Sequence, residues 1–252
     1  KGFADKSLIP QEYPETAEEA FIFSGRPAFD QHILSKMLKR CSKPIYTGEI
    51  VDDGHTVSLN ERSDGNLKVW KVPKPNRRYI IPGDVAEGVK GGAWSVAPVI
   101  DRTSWEQVAI WRGHIDPWMF GQKLVDLSYW YENAVIIPEN NNHGWATIGK
   151  ILELEYPHLF QTTDIWEDAT KKHGFPTDER TRALIISAMR NAINRMLYFV
   201  NDELIIKEML SAVVDEKGSV VAQEGYWIDT VIASAIGLYC LNFLSLDETY
   251  RT

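Results

Sequence analysis

The chain has 252 residues, 44% of them hydrophobic and 25% charged, with 27 Lys and Arg against 35 Asp and Glu and a formal net charge of −8. That composition excludes a disordered, collagen-like or disulfide-framed chain, and Cys41 and Cys240 stand far apart without metal-ligand spacing, as in a reducing compartment. A uniformly basic surface is excluded as well, although a local basic groove is compatible with a negative total, because net charge averages over faces.

In chain order, Thr16-Ala17-Glu18-Glu19-Ala20-Phe21 predicts a short helix with Thr16 as N-cap and Glu19 completing a capping box. Residues 31–40 predict an amphipathic turn or two. Strands are expected at 45–51, 57–59 and 67–71, divided by the turn pairs Asp53-Gly54 and Asp64-Gly65. Pro73 and Pro75 stiffen the exit, and the pattern changes at residue 78. Residues 1–77 are therefore assigned to a small β-rich appendage and linker, and 78–252 to the main domain.

The main domain opens with an apolar strand over 78–84 that ends in Asp84. A Gly-rich turn at 87–92 leads into a strand at 94–101, so it lacks the following helix that a phosphate cradle requires. A further strand is expected at 107–113, a helix at 117–133, and a buried strand at 134–139 that ends in Glu139. Helices follow from 144 to 156, after Thr177 as N-cap, at 204–209 and at 226–244, with a hairpin at 211–223 around Asp215-Glu216-Lys217-Gly218. Three antiparallel strands, a helix and a returning strand make an α/β fold, a mixed sheet flanked by helices. No apolar run reaches the roughly 20 residues of a membrane span and no signal peptide opens the chain, so no membrane partner is expected. The chain opens at Lys1 rather than Met, which is expected of a piece of a longer protein.

Two carboxylates at strand ends meet if those strands are neighbours. A third, Asp229, sits in the first turn of a helix whose next residues, Val231, Ile232, Ala233, Ala235 and Ile236, are core-like. Clustered carboxylates repel, and a divalent cation is the usual remedy. An oxygen-only set suits Mg²⁺ or Mn²⁺ better than Zn²⁺.

These residues also carry a resemblance. Tyr79-Ile-Ile-Pro-Gly-Asp84-Val-Ala-Glu-Gly88, followed by Gly91, Gly92 and Ser95, resembles the first motif of the nuclease domain of phage large terminases. Ile137-Pro-Glu139-Asn-Asn-Asn-His-Gly144 resembles their second motif, Gly174-Phe-Pro-Thr177 with Arg182 and Leu184 the next block, and Ala222-Gln-Glu-Gly225-Tyr-Trp-Ile-Asp229 the third acidic motif. Residues 13–25 resemble the end of the terminase ATPase half. The resemblance implies a ribonuclease H-like fold and an endonuclease that cuts double-stranded viral DNA during packaging in the cytoplasm of an infected bacterium. It makes Asp84, Glu139 and Asp229 the catalytic and metal-binding residues for two Mg²⁺ or Mn²⁺ ions, with Asp84, on a central strand, bridging both. The implied partners are double-stranded DNA, the terminase ATPase half, the small terminase subunit and the capsid portal. No G-x-x-x-x-G-K-[ST] motor motif is present in these residues. The pattern departs from the family at Ile228 and Ala93, where the family often has Asp. The alternatives are another ribonuclease H-like nuclease, of resolvase or transposase type, and a non-catalytic DNA clamp or portal-docking domain.

Other residues have two readings each. Lys171, Lys172 and Arg78 are candidate DNA contacts, against the plainer reading of solvated charges. His143, beside the second motif, either touches a phosphate or is an ordinary polar loop residue. Trp105, Trp111, Trp118 and Trp130 read as core, whereas Trp145 and Trp227 read as walls of the acid site. Ala93 is expected to open the second strand of the main domain.

Overall fold

The computed structural model of the protein describes residues 26–165 and 170–244, so the helix expected at 16–21 and the ATPase-like residues 13–25 lie outside the described residues. In chain order the elements are β1 (Arg26–Pro27), α1 (Gln31–Leu38), β2 (Tyr46–Asp52), β3 (Val57–Glu61), β4 (Leu67–Val69), β5 (Tyr79–Gly83), β6 (Ser95–Asp101), β7 (Glu106–Gly113), α2 (Pro117–Trp130), β8 (Val135–Pro138), α3 (Gly144–Glu153), α4 (Glu179–Asn194), α5 (Glu203–Ser211), β9 (Ala212–Val214), β10 (Val220–Ala222) and α6 (Asp229–Leu241). Strands β3-β2-β4-β7-β6-β5-β8 form one seven-stranded sheet, and β1-β9-β10 form a second, three-stranded one. Among these seven strands β5 and β8 pair in parallel, and the other pairings are antiparallel.

Two features differ from expectation. The strands assigned to an appendage before residue 78 are continuous with the main sheet, because β4 pairs with β7. The strand that leads to Asp84 is not central but next to the edge strand β8.

Side-chain alternation sorts the sheet into two apolar faces, as the period of 2 requires. Ile80, Val96, Ile100, Ile110, Val135 and Ile137 pack with α4, α5 and α6, while Tyr79, Ile81, Ala97, Val99, Trp111 and Ile136 pack with α2 and α3. A register shift at Val99/Ile100 keeps both faces apolar along β6 and β7. Helix α6 is buried along nearly its whole length, as expected of a helix that is apolar all round. Gly237 makes its close seating possible, since a Cβ there would come within 2.8 Å of Pro82 Cγ.

Helix starts follow their caps. Asp116 accepts from the Trp118 and Met119 N–H groups ahead of Pro117, a residue suited to the first turn. Helix α4 is capped by Asp178 in a box with Thr181, not by Thr177, because Asp178 has the extended backbone that a cap needs. The outer edge of β8 is covered. The Ile136 N–H donates to the His158 carbonyl and the Phe175 N–H to the Pro138 carbonyl, so later segments pair with the strand that leads to Glu139.

Candidate active site

The alternation of the sheet places the acids. Asp84 shares parity with Ile80, and Glu139 with Val135 and Ile137, so both project to the face covered by α6. Parallel pairing of β5 with β8 aligns Gly83 with Pro138, so the two acids follow adjacent strand ends. The Asp84 N–H donates to the Val96 carbonyl at 3.0 Å and the Glu139 N–H to the Gly83 carbonyl at 2.7 Å, which fixes both backbones. Asp229 is the first residue of α6 on the same face.

The three carboxyl groups act on one another. Burial pushes the Asp84 carboxyl well above the usual carboxylate range; the Glu139 charge, a hydrogen bond shared with Glu139 and the Asp229 charge add to this, against the opposing pull of Arg182. Asp229 is also raised, by burial and by Glu139, while the Trp94 N–H, Arg112 and His114 oppose. Neighbouring carboxylates of this kind repel, and a divalent cation is the usual means of relieving that repulsion. Among the described residues, no group of three or more His, Cys, Asp or Glu side chains is arranged to hold a metal ion. The donor chemistry fits a hard divalent cation all the same: oxygen donors on rigid elements, with Glu139 buried and Asp84 and Asp229 half-buried.

Two of the acids, Glu139 and Asp229, are oriented by a neighbour. Asn141 Nδ2 donates to Glu139 Oε2 at 2.7 Å, and Asn141 Oδ1 accepts from the Gly144 N–H at 2.7 Å. Position 144 must be Gly, because a Cβ there would overlap the Glu139 carbonyl oxygen. Gly174 has φ +78° and lies where a Cβ would come within 2.8 Å of the Pro138 carbonyl oxygen, so it lets the 173–175 segment reach Glu139. Asp229 Oδ2 accepts from the Trp94 N–H at 2.8 Å. The Trp94 ring stacks on His114 at 3.7 Å and lies 3.9 Å from the Arg112 guanidinium carbon. Behind them Glu208 is buried; its Oε2 accepts from Thr230 N at 2.9 Å and Thr230 Oγ1 at 2.6 Å. Burial pushes Glu208 up to about 7, opposed by the Thr230 bonds and Arg112.

The structure thus brings Asp84, Glu139 and Asp229 together and separates some other candidates. Lys171 and Lys172 are exposed on the strand-like segment that returns to Glu139 through Phe175. Arg78 precedes β5, whereas Asp84 follows it, so the two stand about 20 Å apart along the strand at ~3.3 Å per residue, and Arg78 does not join the acids. His143 is exposed at the start of α3 and caps nothing with its side chain. Trp145 and Trp227 are 55% and 41% exposed and flank the acids in sequence, whereas Trp118, expected in the core, is 40% exposed. Ala93 is half-buried in the loop before β6, neither core nor strand. Asn141, Arg112 and Glu208, which act on the acids, are not singled out by sequence reasoning, and Arg182 enters it only as part of the block after Gly174. Arg112 and Glu208 carry a readable signal, a charge at an otherwise apolar position of a strand and of a helix stripe.

No family model matches the sequence, and no curated protein matches it either. Solved structures do resemble the fold. The large terminase nuclease from thermophilic phage G20c with bound magnesium superposes with a TM-score of 0.60 at 16% identity, over 86% of this chain and 98% of that one. Its cobalt-bound form gives the same values. The large terminase nuclease domain of Thermus phage P74-26 gives 0.54 at 18% identity, over 81% and 92%. The seven-stranded mixed sheet with its flanking helices therefore has the fold of phage large terminase nuclease domains.

Proposed function

We propose that this chain is a metal-dependent endonuclease that cuts double-stranded DNA during viral genome packaging. The observation that carries the reading is the convergence of Asp84, Glu139 and Asp229 on one face, from two adjacent strand ends and a helix start, in a fold shared with phage terminase nucleases. One of those nucleases is solved with magnesium, cobalt and zinc, which supports a divalent ion here, two Mg²⁺ or Mn²⁺ in this reading. Bound ions would supply a more acidic water and charge neutralisation at the leaving oxygen.

The protein's own part is placement. Asp84, Glu139 and Asp229 offer the oxygen ligands; Asn141 holds the Glu139 carboxylate, and the Trp94 N–H holds that of Asp229. Arg182, on the first turns of α4, lies close enough to Asp84 to favour its charged form and supplies a cation for a phosphate oxygen. Lys171 and Lys172 extend a basic rim, so DNA is held locally by a protein of net charge −8. No protein nucleophile is required, since water attacks phosphorus and the 3′-oxygen leaves.

Nicking of supercoiled plasmid with Mn²⁺ tests the reading. Wild-type protein should nick, chelator should stop it, and Asp84→Asn, Glu139→Gln and Asp229→Asn should each abolish it. Equal nicking by all four proteins would sink the assignment.

A further inference from the structure

Arg112 feels the charge of three carboxylates, Glu208, Asp229 and Asp202, but is paired with one. Its Nη2 lies 3.9 Å from Glu208 Oε1, and among the described residues it has no ion pair with Asp229. All three acids favour its charged form, Glu208 most, then Asp229, then Asp202. The guanidinium is tethered over Trp94, the residue whose N–H orients Asp229. It therefore stands within electrostatic reach of the third acid and is held on the other side. Glu208 is itself held in place to engage it. Thr230, which is buried, occupies Oε2 with two hydrogen bonds, and Oε1, which has no hydrogen-bond partner among the described residues, faces Arg112. Arg112 Nε is likewise buried with no hydrogen-bond partner among the described residues, so the side chain has donor capacity to give to a nearer carboxylate.

We propose that Glu208 is a positioning residue for the metal site: it engages Arg112, keeps that cation from pairing with Asp229, and leaves the third acid available to a divalent ion. A guanidinium is a built-in competitor for a carboxylate, because its planar fork can take both oxygens. Without the Glu208 charge, Asp229 is the strongest of the remaining carboxylates that favour Arg112 as a cation, ahead of Asp202. This inference rests on the reading of Asp84, Glu139 and Asp229 as metal ligands.

The test is a titration with Mn²⁺ alone, read as free ion by electron paramagnetic resonance, on the whole chain at about pH 8 under argon. It uses wild type, Glu208→Gln, Arg112→Gln and the double variant, each first checked by a thermal melt without metal. Gln at 208 keeps an amide oxygen for the two Thr230 donors, so the fold is expected to hold. A nearby opposite charge typically shifts a carboxylate by one or more units, so Glu208→Gln should weaken Mn²⁺ binding about tenfold. Arg112→Gln should bind as tightly as wild type or more tightly, and in the double variant the affinity lost in Glu208→Gln should return. That rescue is the decisive readout, since a purely structural defect at Glu208 would persist when Arg112 is removed. Unchanged affinity in Glu208→Gln, a double variant as weak as the single one, or a tenfold loss in Arg112→Gln would each overturn the proposal. Should Glu208→Gln not fold, Arg112→Gln alone still decides the sign. Absence of Mn²⁺ binding by wild type would instead overturn the metal reading itself, and this inference with it.

Discussion

Glu208 also gives a stability measurement whose size can be worked out. Its carboxyl is pushed up from 4.5 to about 7, chiefly by burial. A folded-state value above the unfolded one means the native protein holds the proton more tightly, so its stabilising contribution is full below pH 4.5 and is lost as pH rises through about 7. Each unit is about 1.4 kcal/mol, so the metal-free protein should lose about 3 kcal/mol across that window on account of this residue. Glu208→Gln has no proton to lose, so the wild-type curve should fall relative to the variant's by that amount. With a urea m-value of about 3 kcal/mol/M, the difference is about 1 M in midpoint between acid and mildly alkaline buffer. Urea melts at a series of pH values in the presence of a chelator would show it. Parallel curves for the two proteins would refute the reasoning, since they would mean that Glu208 titrates alike in the folded and unfolded chain.

Three further outcomes are expected. Ala93→Asp adds a carboxylate in the half-buried loop next to Trp94, and calorimetry should show Mn²⁺ bound about tenfold more tightly, a gain of about 1.4 kcal/mol, with no fall in metal-free melting temperature; a lower melting temperature without a metal response would misplace this residue. Lys171→Ala with Lys172→Ala should reduce the magnitude of the log–log salt slope for duplex DNA binding by about 2, and Arg78→Ala, at the far end of β5, should leave it unchanged. Arg182→Ala should slow nicking about 100-fold, in line with loss of a cation that meets developing charge, while Mn²⁺ affinity holds or rises; a weaker affinity with unchanged turnover of the loaded protein would assign Arg182 to structure alone.

Much of the fold is legible in the sequence because its signals are local. The apolar runs before Asp84 and Glu139, the turn between Asp84 and β6, and the helical spacing after Pro117 all follow from a few adjacent residues. The three acids are legible because each ends or begins an element and the motifs carry a family resemblance. What is not legible depends on register. The pairing of β4 with β7 is set by tertiary packing, not by residues 67–69, so on local signals alone the early strands look like an appendage. A run of three Asn residues gives no hint that Asn141 is the one that turns back to Glu139. Arg78 is drawn toward the acids by its nearness in sequence, and the length of the strand between it and Asp84 keeps the two apart.

The distribution of the three acids along the chain bears on biosynthesis. Asp84 and Glu139 leave the ribosome well before Asp229, which lies 229 − 139 = 90 residues later. At 5–20 residues per second that interval is about 5–20 s, and until it has passed α6 is not there to cover the sheet. Because α6 is apolar on nearly every side and packs against β5 and β6, its arrival fills that core and delivers the third carboxylate in the same event. A nascent chain therefore carries only two of the three acids, and whatever chemistry they perform together begins when translation of this region is done.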